Sequence, residues 1–185
     1  MQVKIIGLSG RAGTGKSTIA RLLCEEHAFE ELSLAGPLKR ALSAMLDLPL
    51  SYLEDRATKE APIDWLHGVS PRRLMQTLGT DWGRDMVAND MWLVLAGRRL
   101  DQIKADAERD GIYGIVISDV RFDDEADFVR NMGGSVWHVI RQSDAVQAHS
   151  SERDVFRKPG DVTLDNTGTL ERLAGAVSVL ISPAG

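Results

Sequence analysis

Residues 10–17 read Gly-Arg-Ala-Gly-Thr-Gly-Lys-Ser and match the pattern G-x-x-x-x-G-K-[ST] of a phosphate-binding loop, or P-loop. An apolar run over residues 3–8 precedes this loop, and an amphipathic segment with Ile19, Leu22 and Leu23 on one face follows it. A strand, a loop and a helix in that order are the context in which the motif binds a nucleoside triphosphate. The sequence therefore predicts an α/β protein that is built around a nucleotide site.

The residue types of the P-loop suit a bound triphosphate. Its glycines allow the backbone to turn N–H groups around the phosphates, and the helix that follows adds the positive end of its dipole. Lys16 is expected to reach the β- and γ-phosphates, and the Ser17 hydroxyl is expected to ligate Mg²⁺. The predicted ATP-binding residues of this segment are Gly10, Ala12, Gly13, Thr14, Gly15, Lys16, Ser17 and Thr18.

Length and composition exclude several classes of protein. The 185 residues suffice for one α/β core but not for two, so we expect a single domain over residues 1–185. The net charge is −5, and without a basic block we expect no nucleic-acid partner. A single cysteine, Cys24, excludes an internal disulfide and a cysteine-rich zinc site. Neither a signal peptide nor an apolar run of about 18 residues is present, so we expect a cytoplasmic protein without a membrane partner.

Strand and helix patterns alternate along the chain. Strand-like runs lie at residues 3–8, 31–35, 113–118, 135–140 and 161–165, and helical patterns lie at 17–28, 37–46, 71–86, about 89–111, 123–132 and 169–181. This alternation predicts a parallel sheet that is covered by helices on both faces. Two polar segments, 47–70 and 142–160, fit no core pattern and are typical of lids or binding loops. The roles of residues 47–70 and of His149 stay open.

A second motif, Gly-Ile-Val-Ile-Ser-Asp-Val-Arg-Phe, occupies residues 114–122. An apolar strand that ends in an aspartate is typical of the strand beside a P-loop, and it predicts Asp119 as the carboxylate that holds Mg²⁺. Arg121 should emerge at the carboxyl edge of the sheet, where an arginine can bind a phosphate through two hydrogen bonds. The alternatives are that Asp119 caps the helix over 123–132 and that Arg121 forms an ion pair with Asp123 or Asp124.

Residues 70–85 predict a helix with one apolar and one polar face. Ser70 is the expected N-cap, Pro71 follows at the first helical position, and Leu74, Met75 and Leu78 form the expected core face. The polar face suits a phosphate and the edge of a base, although an ordinary solvated face is the alternative. That face holds Arg73, Gln76, Thr77, Thr80 and Arg84. Trp82 and Trp65 are suited either to stack on a base or to fill the core, whereas Trp92 is expected in the core.

Basic residues also lie in the polar segment 142–160 and directly before it. They are Arg141, Arg153, Arg157 and Lys158. On a lid, such groups would close over the triphosphate and stabilise charge in the transition state, and the alternative is an ordinary charged loop. Residues 165–170, Asp-Asn-Thr-Gly-Thr-Leu, join the fifth strand to the last helix. Their backbone is suited to contact an adenine edge, or else Asn166 or Thr167 is the N-cap of that helix.

These motifs, in this order, resemble the nucleoside monophosphate kinase branch of P-loop proteins, and more narrowly the deoxynucleoside monophosphate kinases of bacteriophages. The resemblance covers nearly the whole chain. Its most specific parts are the P-loop, Pro71-Arg72-Arg73-x-x-Gln76-x-x-Gly79-Thr80-Asp81, Ser118-Asp119-Val120-Arg121-Phe122, His149-x-Ser151-Glu152 and Asn166-x-Gly168-Thr169. It implies a three-layer sandwich around a five-stranded parallel sheet of order 2-3-1-4-5, with an acceptor-binding insertion at about 37–110 and a lid at about 142–160.

The resemblance further implies that ATP and Mg²⁺ serve to phosphorylate a deoxynucleoside monophosphate in the cytoplasm, that of the host if a phage encodes the chain. Arg121 would hold the acceptor phosphate, Arg141 and Arg153 would clamp the donor, and catalysis would depend on Lys16, Asp119, Arg121 and Arg153. The acceptor pocket would hold Arg73, Gln76, Asp81, Trp82 and Arg84, and the donor adenine would lie near Asn166, Gly168 and Thr169. The accepted bases, the preference for deoxyribose and a homodimeric state are left open.

Two other interpretations of the motifs remain. A dephospho-coenzyme A kinase would transfer the phosphoryl group to a ribose hydroxyl, and Asp119 would then be the base that this acceptor needs. A P-loop switch would hydrolyse its nucleotide slowly and would order a partner-binding loop through the γ-phosphate. The several cationic segments favour two phosphorylated ligands, and therefore a kinase.

Overall fold

A parallel five-stranded sheet forms the centre of the computed structural model, which describes residues 3–141 and 155–182. The strands are β1 (Lys4–Ser9), β2 (Phe29–Leu32), β3 (Gly114–Val120), β4 (Ser135–Ile140) and β5 (Val162–Asp165). Their order is β2-β3-β1-β4-β5, and every neighbouring pair is parallel. The predicted order 2-3-1-4-5 is confirmed.

Eight α-helices accompany the sheet in the part of the chain that the structure describes. They are α1 (Lys16–His27), α2 (Gly36–Leu46), α3 (Leu50–Glu54), α4 (Arg56–Glu60), α5 (Pro71–Gln76), α6 (Met91–Asp110), α7 (Asp123–Asn131) and α8 (Leu170–Ile181). A 3₁₀ turn covers Asp64–Leu66, and a π-helix covers Thr77–Val87. None of the helices in the described ranges is both long enough and apolar enough to cross a membrane.

The chain divides into two compact units. We call Met1–Ser33 together with Arg99–Gly185 the sheet unit, and Leu34–Arg98 the helical unit. In the sheet unit, apolar side chains of α1 and α8 pack on one face of the sheet, and Val129 of α7 lies against Gly7 on the other face. The buried cluster includes Ile6, Leu8, Ile19, Leu23, Val116, Trp137, Val139, Leu164, Leu173 and Val177. The result is a helix–sheet–helix sandwich, as expected.

The second strand lies earlier in the chain than the apolar pattern predicted. Residues 31–35 were expected, but β2 covers Phe29–Leu32 and pairs in register with Gly114–Ile117 of β3. The Phe29 ring packs edge-on against Tyr113, which places the strand, whereas Leu34 is buried beyond its end. Leu34 is a buried residue of the helical unit, not of the strand. The apolar pattern of the sequence therefore continues past the end of β2.

The helical unit has its own small core. Leu38, Leu42, Leu53 and Trp92 are buried there, and Leu74, Met75 and Leu78 pack against them. The predicted core face of residues 70–85 and the predicted core position of Trp92 are therefore confirmed. The segment 47–70, which fitted no pattern, contains the short helices α3 and α4 and the 3₁₀ turn.

One element of the helical unit departs from the predicted α-helix over 71–86. The α-helix ends at Gln76, and a π-helix continues it from Thr77 to Val87. The Trp92 indole lies against Gly83, and its Nε1–H donates a 2.8 Å hydrogen bond to Gly79 O. The Gly79 carbonyl is hydrogen-bonded to Trp92, and the Trp92 indole packs on Gly83. Both contacts favour the wider turn of a π-helix. The predicted polar face placed Thr80 and Arg84 with Arg73 by assuming 3.6 residues per turn. That spacing applies only as far as Gln76.

Helix ends follow the local signals of the sequence in most places. The Ser70 hydroxyl accepts the Arg73 N–H at the start of α5, with Pro71 in the first turn, as expected. Gly111 and Gly133 have φ values of 68° and 77° after α6 and α7, which is the left-handed conformation that ends helices. Helix α6 begins at Met91, and the carbonyl of Asp90 accepts its first helical N–H, from Val94.

Candidate active site

The P-loop connects β1 to α1 through a backbone that only glycine permits at two points. Gly10 has φ 144°, and a Cβ atom there would overlap the backbone oxygen of Val139 in β4. Gly15 has φ 104° and stands immediately before α1, so it offers no side chain to cap the helix. The backbone N–H groups in the first turn of α1 are therefore available to a ligand. That turn contains no acidic side chain that would repel an anion.

Lys16 is the first residue of α1, and its ammonium group bends back over the loop. Its Nζ donates hydrogen bonds to Gly10 O and, at 2.9 Å, to Arg11 O. The neighbouring Thr14 is buried, and its hydroxyl donates to the same Arg11 carbonyl at 2.9 Å. Ser17 is exposed in the first turn of α1. These contacts hold the Lys16 ammonium group against the P-loop, where it is predicted to bind phosphates.

Asp119 lies at a β-bulge near the carboxyl end of β3. Gly7 pairs with Ile117 and Ser9 pairs with Val120, so two steps along β1 match three along β3. The extra residue changes the direction of the side chains there, as bulges beside active sites often do. The half-buried Asp119 carboxylate accepts a 2.7 Å hydrogen bond from the Ser33 hydroxyl, which follows β2. Ser33 was not predicted, because the expected strand over 31–35 included it, whereas β2 ends at Leu32.

Arg121 follows β3 and is exposed to solvent. Its backbone N–H and that of Phe122 donate to the buried Glu125 carboxylate at 2.7 and 3.1 Å, which fixes the turn into α7. Within the described residues, the Arg121 guanidinium makes no hydrogen bond or ion pair, so the predicted alternative of a pair with Asp123 or Asp124 is not found. The N-cap of α7 is Phe122, which excludes the alternative that Asp119 caps this helix.

The turn from β5 to α8 contacts the P-loop. Asn166 is buried, and its Nδ2 donates a 2.8 Å hydrogen bond to Thr14 O. The N-cap of α8 is Thr169, whose hydroxyl accepts the Arg172 N–H at 3.3 Å, so the predicted alternatives of Asn166 or Thr167 as N-cap are wrong. Gly168 and Thr169 are exposed in this turn, and Arg141 is exposed directly after β4.

Only residues 155–160 of the expected lid are described, and Phe156 and Lys158 among them are bonded to α7. The Phe156 N–H donates to Asp123 Oδ1 at 2.7 Å, and Arg130 Nη2 donates to the Phe156 carbonyl at 3.0 Å. Lys158 Nζ forms an ion pair with Asp127 at 2.6 Å. Lys158 therefore pairs with a helix of the sheet unit, in agreement with the alternative of an ordinary charged segment. Arg153 and His149 lie outside the described residues.

A buried carboxylate, Asp161, holds this segment to the sheet. It forms an ion pair of 2.6 Å with Arg130, accepts the Lys158 N–H at 2.9 Å and lies 2.9 Å from His138 Nε2. Burial by itself raises the pKa of the Asp161 carboxyl, but these hydrogen bonds and the Arg130 charge outweigh it and hold the pKa well below its usual range. The sequence did not predict this cluster, because its members come from α7, β4 and the segment just before β5.

The predicted acceptor residues lie on one continuous stretch of the helical unit. Arg73 and Gln76 belong to α5, and Asp81 and Trp82 belong to the π-helix; all of them are exposed. Trp82 is 42% exposed, so it does not fill the core, and neither does Trp65. Arg84 is half-buried. The exposed side chains supply a cation, an amide and an aromatic face to a ligand or to solvent.

A P-loop between the first strand and first helix of a 2-3-1-4-5 parallel sheet defines a P-loop nucleotide-binding protein. The crystal structure of TT1252 from Thermus thermophilus has the same fold, with a TM-score of 0.56, 22% sequence identity and coverage of 100% of both chains. The sequence pattern of one particular family, deoxynucleotide monophosphate kinase, matches residues 49–177. The chain belongs to this family, as its motifs predicted.

Two relatives span nearly the whole chain. One, from Acanthamoeba polyphaga mimivirus and provisionally named a deoxynucleotide monophosphate kinase, is 34% identical over 90% of each chain. The deoxynucleotide monophosphate kinase of Enterobacteria phage T4 is 27% identical over 92% of this chain and 95% of its own length. The activity is therefore the ATP-dependent phosphorylation of deoxynucleoside monophosphates. The interpretations as a dephospho-coenzyme A kinase or a slow switch are set aside.

Proposed function

We propose that the sheet unit binds ATP and the acceptor phosphate, and that the helical unit recognises the acceptor nucleoside. One observation carries the assignment of the sheet unit. Ser9 of β1 pairs with Val120 of β3, so the P-loop, Asp119 and Arg121 all leave the sheet at the same edge. In open parallel sheets, ligands bind outside the carboxyl ends of the strands.

The donor site would consist of the P-loop and the segments next to it. Backbone N–H groups around Gly13 and Gly15 and the N-terminal end of α1 would hold the phosphates, and Lys16 would exchange its loop carbonyls for phosphate oxygens. That exchange is favourable because a charged oxygen is a stronger acceptor for an ammonium group than a carbonyl is. Arg141 would bind the donor phosphates, and the exposed turn at Gly168 and Thr169 would contact the adenine.

Mg²⁺ would be held by Ser17 and Asp119, and the residues present fit this ion. An exposed hydroxyl and a carboxylate are hard oxygen ligands, and Mg²⁺ is usually bound by one or two such groups together with substrate phosphates and water. When bound, the ion would neutralise charge on the phosphates of ATP. The Ser33 hydroxyl would orient the carboxylate, because it donates to Asp119 Oδ2.

The acceptor site would use Arg121 for the phosphate. Its guanidinium has no partner among the described residues, while its backbone is fixed by Glu125, so the position is rigid and the charge is available. In the helical unit, Gln76 and Asp81 would form hydrogen bonds with the base or sugar, and Trp82 would stack on the base. Arg73 and Arg84 would also bind the acceptor nucleoside from the helical unit.

The transfer needs little covalent chemistry from the protein. An oxygen of the acceptor phosphate attacks the γ-phosphorus of ATP, and the bond from that phosphorus to the bridging oxygen of ADP breaks. The acceptor phosphate is already ionised, so no general base is required. Positioning of the two nucleotides and neutralisation of charge by Lys16, Arg121 and Arg153 would supply most of the rate enhancement. We further propose that the whole chain acts as one kinase domain in the cytoplasm of a phage-infected host.

A substrate panel tests this proposal. ATP consumption and product formation would be measured with each common deoxynucleoside monophosphate, with the matching ribonucleotides, with dephospho-coenzyme A and without any acceptor. We expect ADP and a deoxynucleoside diphosphate in equal amounts with at least one deoxynucleotide, and negligible ATP loss without an acceptor. Phosphorylation of dephospho-coenzyme A, or rapid hydrolysis without an acceptor, would contradict the proposal.

A further inference from the structure

Asn166 joins the turn to which it belongs to two other parts of the sheet unit. Its side-chain Nδ2 donates to Thr14 O of the P-loop at 2.8 Å, and its backbone N–H donates to Ile140 O, the last residue of β4, at 2.8 Å. The residue itself belongs to the turn between β5 and α8. Asn166 is 9% exposed, and its side-chain bond to Thr14 O is buried, where an unpaired polar group is costly.

The Asn166 amide also lies against the next P-loop residue. A Cβ atom added to Gly15 would overlap Asn166 Nδ2, so the side chain occupies the space that only a glycine leaves at that position. Asn166 Nδ2 therefore lies against both residues of the peptide bond between Thr14 and Gly15. A rotation of this peptide would break the hydrogen bond from Asn166 to Thr14 O.

The orientation of that peptide matters for phosphate binding. A trans peptide is planar, and its C=O and N–H point in opposite directions. Holding the Thr14 carbonyl toward Asn166 therefore directs the Gly15 N–H away from Asn166. Within residues 3–141 and 155–182, the Gly15 N–H has no hydrogen-bond partner. It is a donor held in a fixed direction at the N-terminal end of α1, which is the arrangement an anion site requires.

We infer that Asn166 is a positioning residue for the phosphoryl donor, which acts through the P-loop peptide Thr14–Gly15. This inference rests on the proposed donor site, and it assigns the side chain a different role from the expected contact with adenine. The bond to Ile140 places the β5–α8 turn and the residue before Arg141 in the same network. The side chain thus connects the segments proposed to contact the phosphates and the base of one nucleotide.

Asn166→Asp tests the inference with minimal change of shape. The carboxylate cannot donate to Thr14 O and places negative charge beside the proposed phosphate site. We expect ATP binding, measured by calorimetry without acceptor, to weaken by about 5- to 100-fold, which is the range for leaving a buried partner unsatisfied. The KM for ATP should rise by a similar factor, while the KM for the deoxynucleotide changes by less than about twofold. Asn131→Asp, at the exposed end of α7, adds the same charge and is the matched control.

The outcomes separate the inference from the proposed function. ATP binding by Asn166→Asp within about twofold of wild type, relative to the control, would overturn the inference alone. Parallel losses of affinity for both nucleotides would also overturn it, since they would show a general structural role. A wild-type protein that does not bind ATP would contradict the donor site itself.

A measurement on the wild-type protein covers the case in which Asn166→Asp fails to fold. The side-chain amide protons of Asn166 can be observed by NMR in labelled protein. If they are bonded to Thr14 O, they exchange slowly with solvent both with and without ATP. Fast exchange that slows only when ATP binds would indicate a contact with the nucleotide base, and it would overturn the inference.

Discussion

Ser33 and Asp119 are joined by a 2.7 Å hydrogen bond, although 86 residues separate them in the chain. The bond exists because β2 lies beside β3 and because a bulge adds one residue to β3 just before its end. The Ser33 hydroxyl therefore supports a carboxylate whose direction the bulge has already changed. Ser33 follows β2 and Asp119 lies near the end of β3. Both residues are therefore at the edge of the sheet where the nucleotides are proposed to bind.

Replacement of Ser33 by alanine should weaken the use of Mg²⁺. The Asp119 carboxylate loses a donor that holds its orientation, and one such hydrogen bond is worth about 1 kcal/mol, so kcat should fall by about 3- to 10-fold. Initial rates at increasing Mg²⁺ concentration should show a higher half-saturating concentration than wild type. Ser182→Ala, at the end of α8 where the hydroxyl donates to Ser178 O, is the control. An unchanged Mg²⁺ dependence in Ser33→Ala would contradict the role given to this bond.

Replacement of Lys16 by alanine should abolish transfer without unfolding the protein. The side chain donates to the carbonyls of Gly10 and Arg11, and its loss removes a phosphate-binding charge rather than core packing. Activity should fall by at least about 100-fold, while thermal unfolding without ligand changes by only a few degrees. Arg21→Ala removes a cation from the exposed face of the same helix and should leave activity intact. Turnover near wild type in Lys16→Ala would refute the P-loop assignment.

Replacement of Arg121 by alanine should affect the acceptor more than the donor. Loss of a guanidinium from a phosphate costs about 2–4 kcal/mol, so kcat/KM for the deoxynucleotide should fall by about 30- to 1000-fold. Equilibrium binding of ATP should stay within about threefold of wild type. Arg109→Ala, which removes an exposed arginine paired with Asp106 and Asp110, serves as the comparison. If Arg121→Ala is kinetically silent, the acceptor phosphate is bound elsewhere.

Replacement of Asp161 by asparagine should destabilise the protein at neutral pH. The buried carboxylate satisfies Arg130 and the Lys158 N–H, and weakening these bonds should lower the free energy of unfolding by about 1–3 kcal/mol. Urea unfolding of wild type and variant at pH 7 measures this difference. Asp101→Asn, on the exposed side of α6, is the control. Equal stability of Asp161→Asn and wild type would show that the cluster contributes nothing.

The same pair of proteins should differ in their response to acid. The pKa of Asp161 is depressed in the folded state, so the unfolded chain takes up a proton first as the pH falls. The stability from this carboxylate is present above the ordinary aspartate pKa of about 4 and is lost as the pH falls below it. The stability difference between wild type and Asp161→Asn should therefore shrink between about pH 4 and pH 2. A difference that stays constant over this range would contradict the cluster's effect on the pKa.

Local signals in the sequence determined a large part of this protein. The P-loop motif, the cap at Ser70, the glycine after α7 and the apolar strands each depend on a few neighbouring residues. Backbone dihedral preferences and nearby hydrogen bonds decide such features, so the sequence predicts them without any knowledge of distant contacts. The motifs and their order also sufficed to predict the family and the order of the strands.

Tertiary structure alone decided how the proposed site is supported. The bulge beside Asp119, the hydrogen bond from Ser33, the π-helix against Trp92 and the bond between Asn166 and Thr14 all join distant parts of the chain. Asn166 and Thr14 are 152 residues apart, and no spacing rule connects them. Such contacts depend on strand register and on how side chains share a small volume, so residues far apart in sequence become partners only when the sheet and its helices pack.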